Sequence, residues 1–126
     1  MPRRQIRILR CIILVICFGC TQSLPRIEGF NTDNWREDKF GCRGNRQEQL
    51  HILQENKVRL LGLNQNEMSE ILGTPDEHEL YERKQKFFYY YISPGSECDQ
   101  AKPNPIRLQI RFSAMGIANE VFFENT

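Results

Sequence analysis

The spacing of apolar positions changes along this chain from a continuous run, to a helical period, to strict alternation. Residues 11–18 (CIILVICF) are uninterruptedly apolar and follow Arg3, Arg4, Arg7 and Arg10. That is the basic start and apolar centre of an export signal. It is too short for a bilayer span, which needs about 20 apolar residues. Residues 20–29 carry Ser23, Pro25 and Gly29 with no apolar period and predict a tether. Asn31, Thr32 and Asp33 can cap a short helical turn carrying Trp35, which would pack this segment onto the domain. Residues 45–60 are rich in helix formers, and Leu50, Leu53, Lys57 and Leu61 recur at helical spacing. They predict one helix, stopped at Gly62. Asn64, with Glu67 three residues on, predicts a capping box opening a second helix. Met68, Ile71 and Leu72 share a face of that helix, which Gly73 and Pro75 end.

Beyond Pro75 the period falls to two. Residues 79–82 predict a weak strand, 86–92 a strong aromatic one, 106–112 a third and 118–123 a fourth, with a hairpin turn at 113–116. A polar loop with three prolines and Cys98 spans 93–105. Helices grouped before strands give an α+β fold in two layers. The expected form is two N-terminal helices packed on a three- to four-stranded antiparallel meander. Within 86–92, either Phe87, Tyr89 and Tyr91 or Phe88, Tyr90 and Ile92 fill the core, and the other set lies on an open face. Tyrosine is favoured at protein interfaces. Tyr89, Tyr90 and Tyr91 are therefore candidate partner-binding residues. Arg107 and Arg111, opposite the apolar residues of their strand, are candidates for a rim or an anionic-lipid contact.

Charge changes the picture once the signal is set aside. The whole chain has a net charge of +1, but residues 20–126 hold thirteen basic and sixteen acidic residues, or −3. That argues against a nucleic-acid binder. These 107 residues suffice for one small domain. Cys11, Cys17 and Cys20 belong with the signal, leaving Cys42 and Cys98 for the exported domain. In an oxidising compartment the two most simply pair. Closing a loop of that length contributes about 4 kcal/mol in the chain-entropy account. Cys42, Cys98, His51 and His78 lack the short paired spacing of zinc sites, so neither metal nor cofactor is expected. No serine elbow or activated cysteine is present either. The chain has no candidate catalytic residue and reads as a binding protein.

Gly19-Cys20, followed by Thr21-Gln22-Ser23, resembles the lipobox of bacterial lipoproteins. The resemblance implies that residues 1–19 are removed and that Cys20 becomes the lipidated, palmitate-bearing first residue. It divides the chain into signal (1–19), tether (20–29) and domain (30–126). Thr21, where Asp would retain many lipoproteins in the inner membrane, implies the outer membrane with the domain in the periplasm. A cleaved signal without lipid, giving a secreted or surface protein, and an uncleaved anchor are the alternatives.

The stretch LGLNQNEMSEILGTP at 61–75, the aromatic Phe88-Tyr89-Tyr90-Tyr91 and LQIRFSAMGI at 108–117 together resemble the BamE (SmpA/OmlA) lipoprotein family, across residues 50–123. The resemblance implies a two-helix, three-stranded domain. Members of that family assist insertion of β-barrel proteins into the outer membrane, and the same architecture serves inhibitors of β-lactamase. It implies a membrane-held accessory or structural factor of envelope assembly, with the β-barrel assembly machinery or another envelope protein as candidate partner. The alternative is a protein inhibitor of an extracytoplasmic enzyme, working through loop 93–105. Residues 30–44, the cysteine pair and that loop are additions to the family pattern.

Overall fold

The computed structural model describes residues 19 and 23–126; Cys20 and the apolar run lie outside the described residues. Four short helices come first: α1 (Thr32–Glu37), α2 (Asn45–Glu48), α3 (Leu50–Asn56) and α4 (Gln65–Leu72). Four strands follow: β1 (Glu77–Leu80), β2 (Lys86–Tyr91), β3 (Ile106–Phe112) and β4 (Ala118–Asn125). They form one antiparallel sheet in the order β1-β2-β3-β4. The fold is α+β. Among the described residues no helix is long and apolar enough to cross a membrane.

Local chemistry explains the helix ends. The Asn31 side chain accepts the Asn34 N–H at 3.1 Å and starts α1. Asn64 and Glu67 form a reciprocal capping box: Glu67 N–H donates to Asn64 Oδ1 at 2.9 Å, and Asn64 N–H donates to the Glu67 carboxylate at 2.8 Å. Gly73, at φ 76°, ends α4 in a conformation other residues rarely adopt.

The single helix expected over residues 45–60 is broken. It is α2, α3 and a 3₁₀ turn, Lys57–Leu60. The break falls at Gln49 (φ −96°, ψ 0°), whose side chain is buried and bonds both backbone groups of Asn31. Satisfying those buried groups outweighs a few tenths of a kcal/mol per residue of helix propensity. β1 begins two residues earlier than the alternation at 79–82 suggests.

The core lies between the layers. Leu53, Leu60, Met68 and Leu72 from the helices meet Phe88, Tyr90, Leu108, Ile110 and Phe112 from the sheet. Trp35 is fully buried, with ring centres 5.6 Å from Phe30 and 6.4 Å from Tyr90. Arg46 is buried with it. Its guanidinium meets Asp76 at 2.5 Å and donates to the Trp35 and Tyr91 carbonyls, both at 2.9 Å.

Residues 24–30 are not a free tether. Ile27 is buried, and Leu24 and Phe30 pack against the core. The Arg59 guanidinium donates to the Arg26 carbonyl at 3.2 Å. Cys42 and Cys98 form a disulfide with Cα atoms 5.4 Å apart. It ties the loop after β2 to the turn after α1, where Gly95 N–H also donates to the Phe40 carbonyl at 3.2 Å.

Candidate binding face

Alternation along β2 is resolved by the pairing. Phe88, Tyr90 and Ile92 point into the core and are buried. Phe87, Tyr89 and Tyr91 point to the other side of the sheet, where Tyr81 packs edge-on against Phe87 and Phe40 against Tyr91 at its two ends. Strand register builds three rows across that face. One row is Tyr91, Arg107 and Glu124; the next is Glu77, Tyr89, Gln109 and Phe122; the third is Glu79, Phe87, Arg111 and Glu120.

Tyr90 is therefore not a partner-binding residue. It is fully buried, and its hydroxyl donates to the Gly73 carbonyl at 2.9 Å, fastening the sheet to the end of α4. Burial pushes its pKa well above the usual tyrosine value. Tyr89 is on the open face but forms its floor, only 7% exposed. The Arg107 guanidinium lies over its ring at 4.0 Å from the centre, and Phe87 stacks beside it at 6.2 Å. The Tyr89 hydroxyl donates to Glu79 at 3.0 Å. Burial, followed by that hydrogen bond, pushes its pKa up to about 12. Tyr91 is half-buried at one end of the face, its hydroxyl donating to Glu77 at 3.3 Å.

Both arginines are engaged by neighbouring strands. Arg107 donates to Glu124 at 2.6 Å and lies 3.8 Å from Glu77. Arg111 donates to Glu120 at 3.0 Å and to Gln85 at 2.7 Å. Each such partly exposed pair adds on the order of 0–1 kcal/mol to stability. Their larger effect is to hold the side chains in place and cancel their charge. Four glutamates face two arginines here, so the face has an aromatic floor, a neutralised arginine row and a net acidic border.

Phe87, one of the two alternating sets, belongs to the face, and so do Phe122 and these glutamates, which the sequence did not single out. The alternation of Glu120, Phe122 and Glu124 within β4 carried the signal for three of these five. The structure brings Tyr89, Tyr91, Arg107 and Arg111 together, and it joins Cys42 to Cys98 at the Tyr91 end, beside Phe40, whose ring centre is 6.1 Å from that of Tyr91. Cys20 lies outside the described residues. Compared with known protein families, curated proteins and solved structures, the chain matches none.

Proposed function

We propose that this chain is a lipid-anchored, BamE-like protein of the bacterial outer membrane that works by binding rather than catalysis. Lipid on Cys20 holds it at the periplasmic side, where it acts as an accessory or structural factor of β-barrel assembly. The observation that carries the reading is the open sheet face. Its aromatic residues are held rigid by strand pairing, which lowers the entropy lost on docking. Arginines already engaged by glutamates are poorly disposed to recruit anionic lipid. The acidic border instead favours a protein partner with a basic rim around an apolar centre.

Charge reversal tests this directly. Glu79 and Glu120 are exposed, so the pair Glu79→Lys and Glu120→Lys leaves the core untouched. Cross-linking in cells followed by detergent extraction should recover β-barrel assembly components with the parent protein. Recovery should fall at least tenfold with the charge-reversed variant and with Cys20→Ala, a change of about 1.4 kcal/mol or more in binding. Unchanged recovery with the reversed pair would remove this face as the interface.

One observation favours a second reading, an inhibitor of an extracytoplasmic enzyme. The loop between β2 and β3 is held by the disulfide and by Lys102 N–H donating to the Pro94 carbonyl at 3.0 Å. A loop fixed in this way is suited to blocking a cleft. Recovery of one soluble enzyme, independent of Cys20, would favour it.

A further inference from the structure

The docked segment 24–30 carries an orientation. It rests on the helix layer: Phe30 packs on Trp35, and Trp35 packs on the inward-facing Tyr90. Phe30 is thus on the opposite side of the sheet from the open face. Three residues after Cys20 is Ser23, and an extended chain spans at most about 3.6 Å per residue. A lipid on Cys20 would therefore hold residue 23 within about 11 Å of the bilayer surface.

The surface beside this segment suits that position. Arg59 reaches the Arg26 carbonyl and brings the turn Lys57–Leu60 alongside. Arg26, Lys57 and Arg59 are exposed and basic, and Val58 and Leu61 are 69% and 41% exposed. Exposed apolar side chains among basic ones match an anionic bilayer surface, where the cations meet phosphate and the apolar groups enter the interface. Glu28 lies between Arg26 and Arg59, and Glu70 and Glu55 are exposed at the edges of this surface.

We propose that the patch formed by Arg26, Lys57, Val58, Arg59 and Leu61 lies on anionic lipid, with the helix layer toward the membrane and the open sheet face turned to the aqueous compartment. This rests on the lipid-anchor reading. The same short reach that holds the protein down then leaves the acid-bordered face presented to a partner.

The test uses the full-length gene product purified from membranes as the cell processes it. It is placed in phosphatidylethanolamine/phosphatidylglycerol nanodiscs containing a gadolinium-chelating lipid. Amide signals of residues 24–30 and 57–61 should broaden strongly, and those of 107–111 and 120–124 should not. In the variant Lys57→Glu with Arg59→Glu, residues 57–61 should lose their excess broadening over 107–111, while residues 24–30 stay broadened because the anchor still holds them. Strongest broadening at 107–111, or an even pattern in the parent protein, overturns the orientation. Mass spectrometry of the same sample separates the two levels. An unlipidated Cys20 refutes the anchor and the orientation with it, whereas a lipidated Cys20 with the wrong pattern refutes the orientation alone.

Discussion

Arg46 shows how one residue organises residues distant in sequence. In a window rich in Arg, Gln and Glu it reads as one more solvated helix charge. In the fold it is fully buried, bonded to Asp76, and within 5.1 Å of the Trp35 ring centre. Asp76 also accepts the N–H groups of Tyr91 and Phe40 at 2.8 and 3.2 Å. This knot links α2, the turn after α1 and the sheet. No local pattern announces it, because its members are some 30 residues apart and each is unremarkable among its neighbours. Removing one partner of a buried pair strands the other charge. Arg46→Met should therefore lower unfolding free energy by about 3–5 kcal/mol, measured by urea denaturation. A loss below about 1 kcal/mol would mean that Asp76 is satisfied without Arg46. Tyr90 is a case of the opposite kind. Alternation told that one set of β2 residues faces in, but both sets are aromatic-rich, so only packing against Trp35 and α4 decides between them.

At the scale of elements, the strands were legible and the helix boundaries were not. Residues 106–112 alternate cleanly because one face of β3 packs in the core and the other lies open. Periodicity also located α4, whose caps are local. It failed at Gln49, where a contact to Asn31 breaks the helix, and at 24–30. There Leu24, Ile27 and Phe30 recur every three residues, an apolar spacing obscured by the Pro and Gly between them. The long loop depends on a covalent element. Gly41, at φ 69°, approaches so closely that a Cβ there would lie 2.6 Å from the Ile92 carbonyl oxygen. The disulfide next to it holds the loop against that turn. Reduction, or Cys42→Ser with Cys98→Ser, should reduce stability by about 4 kcal/mol, chiefly by freeing the unfolded chain. Chemical denaturation with and without reductant measures it; an unchanged midpoint would mean that hydrogen bonds alone secure the loop.

For the whole molecule, the two surfaces differ in chemistry. The helix side carries the chain toward Cys20 and a basic, partly apolar patch. The sheet side carries aromatic residues whose neighbouring charges are arranged across strands far apart in sequence. Composition showed a mildly acidic domain without revealing that four of its glutamates gather on one sheet face. That distribution follows from strand register, which places Glu77 and Glu79 of β1 and Glu120 and Glu124 of β4 on the same side. The central claim is that this side docks a protein partner. The most direct measurement is photo-cross-linking in cells from a benzoyl-phenylalanine at Gln109, midway across the face, compared with one at the exposed Gln54 on α3. The account predicts a cross-link from Gln109 to a β-barrel assembly component, absent from Gln54 and lost when Glu79 and Glu120 become lysines. No cross-link at Gln109, or the same product from both positions, would contradict it.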